Sequence, residues 1–303
     1  MPRPRCAARM SAVNSRAIVV GVDGSGSSLD AVGWAAREAE LRGAPLKLVS
    51  AYQIRALYTS FVALPSHLGS EENARADSIL TSASLVARRS VEKPDALTIM
   101  IEPIVGPTVQ ALIDESATAS MMVVGSRGNG EYFAELLGSV STAVAVQARC
   151  PVVIVPRSVE LHSARGPVVL GVDASAHNQE AVRLAFEEAS LRGTGLVAVH
   201  VSTDRLVSSP DASTSDKSGA IVSNGRTVLA ENLSGWSELY PDVVVKQTVL
   251  RGDVVERILG AAVRAEAVVV GSSGRTGFSG QLLGSTVRSL AHRVDCPLII
   301  ARG

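Results

Sequence analysis

The chain repeats itself, and the repeat limits its possible folds more than any other feature does. Ile18-Val19-Val20-Gly21-Val22-Asp23-Gly24-Ser25 is matched by Val168-Val169-Leu170-Gly171-Val172-Asp173-Ala174-Ser175, and Leu41-Arg42-Gly43 by Leu191-Arg192-Gly193, both at a separation of 150 residues. Farther on, Gly125 pairs with Gly271 and Cys150-Pro151 with Cys296-Pro297, now at a separation of 146. Two copies of one domain follow each other, the second four residues shorter in its middle. With 303 residues, each copy is long enough to bury its own core.

Both copies read alike. A buried strand (Ala17 to Val22; Val168 to Val172) precedes a helix with apolar residues at Leu29, Val32, Ala36 and Ala39, stopping near Gly43. A second strand is predicted over Leu46 to Ala51 and Leu196 to Val201. Gln53 to Asn73 and Ser202 to Asn224 then read as long variable stretches, the second rich in Ser, Asp and Gly as exposed loops are. After a further helix comes a third strand, at Leu97 to Ile101 and Val243 to Val249. Gly106-Pro107 and Gly252-Asp253 open another helix, which ends before Met121 or Ala267. Each copy closes on a strand after Cys-Pro, Val152 to Val155 and Leu298 to Ala301, since proline disfavours helix for the residue before it. Strands alternating with helices predict an α/β class: two tandem copies of a five-stranded, mainly parallel sheet with helices on both faces. The expected boundaries are an N-terminal extension at 1–15 without order, domains at 16–156 and 167–303, and a linker at 157–166.

The candidate chemistry lies in a glycine pattern that each copy carries. Gly125-Ser126-Arg127-Gly128-Asn129-Gly130 runs on to Gly138-Ser139, and Gly271-Ser272-Ser273-Gly274-Arg275-Thr276-Gly277 to Gly284-Ser285. Both read G-x-x-G, nine residues, then G-S, directly behind an apolar run. Glycines allow close backbone approach, and a Gly-Ser that opens a helix offers free N–H donors and a hydroxyl, which together suit a phosphate. Asp23 and Asp173 end the first strand of each copy, where a carboxylate can bond a ribose hydroxyl, help hold a metal, or cap the following helix. The pattern fits neither the P-loop nor the dinucleotide fingerprint, which disfavours a P-loop motor and a Rossmann dehydrogenase.

Composition removes other classes. Charges balance at a formal net +0, which argues against general affinity for nucleic acid or an anionic membrane. Cys6, Cys150 and Cys296 suit neither a disulfide framework nor a metal site, and the last two read as small buried residues. The five histidines form no ligand spacing, Trp34 reads as core, and no apolar run reaches the ~20 residues that span a bilayer. Arg3, Arg5 and Arg9 precede no apolar segment of a signal peptide, and Met10 is an alternative start, so the expected compartment is cytoplasmic. No paired carboxylates and no Ser-His or Cys-His arrangement point to a catalytic apparatus.

The glycine pattern, with V-x-V-G-V-D-x-S at the start and C-P-V-x-I-V at the end, resembles the universal stress proteins across both halves, Ala17 to Arg302. The resemblance implies a Rossmann-like, adenine nucleotide α-hydrolase-like fold, ATP with Mg²⁺ in each domain, and nucleotide-dependent regulation of stress response or growth. Its ligand contacts would fall on Gly21, Asp23, Val49, Gly125, Ser126, Arg127, Gly128, Asn129, Gly130, Gly138 and Ser139. In the second copy they would fall on Gly171, Asp173, Val199, Gly271, Ser272, Ser273, Gly274, Arg275, Thr276, Gly277, Gly284 and Ser285. Ala174 stands where the first copy has Gly24, Ser273 for Arg127 and Arg275 for Asn129, so the two sites are expected to differ in affinity. The expected partners are an adenine nucleotide and regulatory protein targets of unknown identity, with a homodimer compatible with the family. Two alternatives stay open: slow ATP hydrolysis, with Asp23 and Asp173 helping to hold Mg²⁺, or an interaction scaffold holding another adenine nucleotide such as cyclic AMP.

Overall fold

The computed structural model describes residues 16–53, 68–128, 137–157, 166–175, 178–202, 214–272 and 283–302. The chain divides into two compact units, Met1–Ser158 and Val159–Gly303.

In the first unit, runs of Val, Ile, Leu and Met build β1 (Ile18–Gly21), β2 (Leu46–Tyr52), β3 (Ile99–Val105), β4 (Met121–Gly125) and β5 (Val152–Val155). They lie in the order β3-β2-β1-β4-β5, and the pairings β1–β2, β1–β4, β2–β3 and β4–β5 are all parallel. The inner strands are apolar without alternation because helices cover both faces. The helices are α1 (Gly26–Arg42), α2 (Leu68–Arg89), α3 (Thr108–Ser116) and α4 (Ser139–Gln147), with a short 3-10 turn at Pro94–Ala96. The second unit repeats this with β6 (Val168–Val172), β7 (Leu196–Ser202), β8 (Val245–Arg251), β9 (Ala267–Gly271) and β10 (Leu298–Ala301), ordered β8-β7-β6-β9-β10. Its helices are α5 (Gln179–Arg192), α6 (Thr214–Leu233), α7 (Trp236–Leu239), α8 (Val254–Ala262) and α9 (Ser285–Arg293).

α1 shows how the sequence sets an element. Ser25 caps it, its side chain accepting from the Ser28 N–H, and Gly43 ends it in the left-handed region at φ 61°. Ala31, Val32, Ala35, Ala36 and Ala39 form its buried stripe, and Trp34 is buried with them. Gly193 ends α5 in the same way at φ 62°. Each helix also buries an acid completely, Glu38 or Glu188, and pairs it with an arginine one turn on, Arg42 or Arg192.

Two parts of the sequence reading change. Gln53 to Asn73 and Ser202 to Asn224 are not loops throughout, because α2 begins at Leu68 and α6 at Thr214. α6 buries Gly225, Val228, Leu229 and Leu233 on one face, and that packing outweighs a polar, Gly-containing first half. The third strands also start two residues later than expected, at Ile99 and Val245; in the first unit the Pro94–Ala96 turn delays the strand. β3 and β8 are outer strands, and their chemistry differs. β3 exposes Met100, Ile101 and Val105 and contains Pro103, whereas β8 has Lys246, Gln247 and Arg251 at the matching places. Among the described residues no helix is long and apolar enough to cross a membrane.

Candidate functional site

β1 is the switch point of the first sheet: the chain runs from it to β2 on one side and, later, to β4 on the other. In an open parallel sheet that is where a crevice opens beyond the strand C-termini. Asp23 lies two residues past the end of β1 and Gly125 ends β4, so adjacent strands deliver both to one edge.

The loops then converge. A Cβ on Gly128 would stand 2.7 Å from Asp23 Oδ2, so the glycine loop lies directly against the carboxylate. Asp23 Oδ1 accepts from the Ser25 N–H at 2.9 Å, turning the chain into α1. The helix cap itself is Ser25, so of the roles open to Asp23, capping is taken by its neighbour. Gly24, at φ 81°, makes the turn between them, and a Cβ there would meet Ile79 of α2 at 3.2 Å.

Gly125 is required by a close approach. A Cβ there would lie 2.4 Å from Ser27 Oγ and 2.6 Å from the Ser27 carbonyl oxygen, so the first turn of α1 and the end of β4 touch backbone to backbone. The Arg127 N–H donates to Ser27 Oγ at 3.3 Å. From the other side, Ser141 Oγ donates to the Gly125 carbonyl at 2.6 Å, and the Gly138 N–H donates to the Ser126 carbonyl at 2.9 Å. The Ser126 N–H is held by Val155 at 2.8 Å. Gly138 is the N-cap of α4 and no side chain makes a capping hydrogen bond there, so the N-terminal N–H groups of α4 open beside the glycine loop. Neither Asp nor Glu occupies that first turn, and the helix dipole there favours an anion.

The second unit has the same plan. Asp173 follows β6, and its Oδ1 accepts from Ser175 twice, from N–H at 2.9 Å and from Oγ at 2.5 Å. Asn178 Nδ2 donates to the Asp173 and Ser175 carbonyls. Gly271 ends β9 beside β6, the Gly284 N–H lies 3.5 Å from the Ser272 carbonyl, and Gly284 caps α9 without a side chain. Ser285 opens α9 as Ser139 opens α4.

Of the sequence candidates, Gly21, Asp23, Gly125, Ser126, Arg127, Gly128, Gly138 and Ser139 gather at the strand C-termini of the first unit, and Gly171, Asp173, Gly271, Ser272, Gly284 and Ser285 at those of the second unit. Val49 and Val199 pair with Gly21 and Gly171 inside the sheets, their side chains buried, and the Val49 carbonyl accepts from the Val22 N–H at 2.8 Å. Asn129, Gly130, Ser273, Gly274, Arg275, Thr276 and Gly277 lie outside the described residues. The sequence reading missed Ser27 and Ser141, which hold the glycine loop. A serine in the first turn of each flanking helix was the signal, but serines near helix starts are too common to single out.

Comparisons with known proteins match nearly the full chain. The family model of the "Universal stress protein family" matches residues 14–156 and again 165–302. A universal stress protein of Mycobacterium tuberculosis is 37% identical over 297 residues, covering 97% of this chain and 99% of that protein. One from Mycolicibacterium smegmatis is 40% identical over 290 residues, covering 94% and 96%. Among solved structures, a universal stress protein from Archaeoglobus fulgidus shares the fold with TM-score 0.67 and 21% identity, over 95% of this chain and 97% of that one. The chain belongs to the universal stress protein family, and it carries the family domain twice.

Proposed function

We propose that each domain binds an adenine nucleotide, ATP with Mg²⁺, and that the protein acts in the cytoplasm as a nucleotide-dependent regulator of stress response or growth. The observation that carries this reading is the meeting of three elements at one sheet edge: the Asp23 carboxylate, the backbone of Gly125 to Gly128, and the start of α4 with no side-chain cap. In this arrangement the glycine loop and the α4 N–H groups take the phosphates. Asp23, reaching the same loop, is placed to bond a ribose hydroxyl or to share a Mg²⁺ with phosphate oxygens. Mg²⁺ commonly takes one or two carboxylates, with phosphates and water completing its shell. Among the described residues no group of three or more metal-ligating side chains exists, so the phosphates would supply much of the coordination.

The test is direct. The full chain is purified, extracted with acid, and the extract resolved by chromatography against nucleotide standards; ATP is the expected species, with negligible release of ADP on incubation. Equilibrium dialysis with ATP and Mg²⁺ should show saturable binding in both domains. Absence of co-purified nucleotide together with no saturable binding at millimolar ATP would overturn the reading.

A further inference from the structure

The two cradles are not held equally. In the first unit the glycine loop is pinned by two buried hydroxyls, Ser27 on α1 and Ser141 on α4, through the Arg127 N–H and the Gly125 carbonyl. The repeat places His177 at the position of Ser27 and Val287 at the position of Ser141. His177 lies outside the described residues, while Val287 is buried in the first turn of α9 and has no hydroxyl to donate. The backbone bonds of the loops follow the same trend. The bond that closes the loop onto its helix is 2.9 Å for Gly138 to Ser126 and 3.5 Å for Gly284 to Ser272. The bond that ties the loop to the neighbouring strand is 2.8 Å for Ser126 to Val155 and 3.1 Å for Ser272 to Ala301. Gly125 and Ser126 are buried, whereas Gly271 and Ser272 are partly exposed.

From this we infer that Ser27 and Ser141 are positioning residues that make the first domain the tighter of the two nucleotide sites. The inference rests on the nucleotide-binding reading above and adds its direction and cause. A loop already fixed in the binding geometry loses less conformational freedom when an anion settles on it, so affinity rises without a new contact to the ligand. Both serines act through the loop. Ser141 Oγ holds the Gly125 carbonyl as an acceptor, and Ser27 Oγ fixes the peptide that carries the Arg127 N–H.

The experiment uses the full chain and 8-azido-ATP with Mg²⁺ as a photoaffinity probe, the labelled peptides of 16–157 and 166–302 being quantified separately by mass spectrometry. The first domain is expected to reach half-saturation at about tenfold lower probe concentration than the second, the effect of one or two buried hydroxyl bonds. Ser141→Val and Ser141→Thr differ only by the hydroxyl: the first should weaken labelling of the first domain by about fivefold to tenfold, and the second should leave it near the unmodified level. Val287→Thr, alone and with His177→Ser, should tighten the second domain. A merely structural role for the serines predicts no such gain. Saturable labelling in which Ser141→Val and Ser141→Thr titrate alike, or in which Val287→Thr leaves the second domain where it was, overturns the inference alone. No saturable labelling in either domain overturns the nucleotide reading and the inference together.

Discussion

Gly128 lies against the carboxylate of Asp23, with room for no side chain between them: a Cβ on the glycine would stand 2.7 Å from Oδ2. The carboxylate just past the first strand and the glycine loop that follows the fourth strand, about 100 residues later, thus form one wall. Gly128→Ala must displace the carboxylate, which sits at the end of a rotatable side chain. Nucleotide binding in the first domain should fall at least tenfold while the thermal midpoint moves little, as read by ligand titration and calorimetry.

Gly125→Ala should behave differently. The new methyl meets the Ser27 backbone, at 2.6 Å from its carbonyl oxygen, so α1 or β4 must shift. Overpacking of this kind costs about 1–3 kcal/mol, and the loss should appear in chemical denaturation as well as in binding. A Gly125→Ala chain that melts normally and binds normally would mean that α1 and β4 do not meet at this glycine.

The buried pair in α1 gives a test of stability alone. Glu38 is fully buried and Arg42 nearly so, and the same pair recurs as Glu188 and Arg192. Arg42→Met leaves a carboxylate without its arginine in the interior, at a cost of about 3–5 kcal/mol. Glu38→Met combined with Arg42→Met should recover much of that loss, since two apolar side chains need no pairing. Urea denaturation of the three variants checks both expectations.

Lys47 stands between Glu102 and Glu115, at 2.5 Å and 2.7 Å. Burial works to lower its pKa, but the two carboxylates outweigh it and hold the ammonium above its ordinary value. Because the folded pKa is raised, the stabilisation is fully present below pH 10.5 and is lost as pH rises through the folded value. Lys47→Met should lower stability by about 1 kcal/mol at neutral pH and by less in strongly alkaline buffer.

Cys296 should be chemically silent. Burial, reinforced by the nearby Asp295, pushes its thiol up to about 12. The thiolate is the reactive form, so alkylation of the native chain at pH 8 should be far slower than of the chain in denaturant. The sign for stability follows. Above pH 9 an unfolded chain releases the proton that the folded chain keeps, so this thiol lowers stability progressively from pH 9 up to about 12.

Much of this was legible in the sequence because the repeat reports each element twice. The Val-rich runs, the helix-ending Gly43 and Gly193, and the Gly-Ser helix starts each follow from local chemistry. The start of α6 was not legible, because Thr214 to Asn224 carries no clear apolar period and forms helix in continuity with the face that packs at Val228, Leu229 and Leu233. Nor were Ser27 and Ser141. Their role depends on Gly125 arriving between two helix starts, and contacts 100 and 16 residues apart in sequence leave no periodic trace.

The outer strands carry a consequence for how the protein survives at high concentration. β8 guards its rim with Lys246, Gln247 and Arg251, whereas β3 presents Met100, Ile101 and Val105 to water. What interrupts β3 is Pro103, which has no N–H to offer an incoming strand. Pro103 therefore guards the β3 rim, and replacing it with threonine would supply the missing donor and turn a tolerated rim into a seed for self-association.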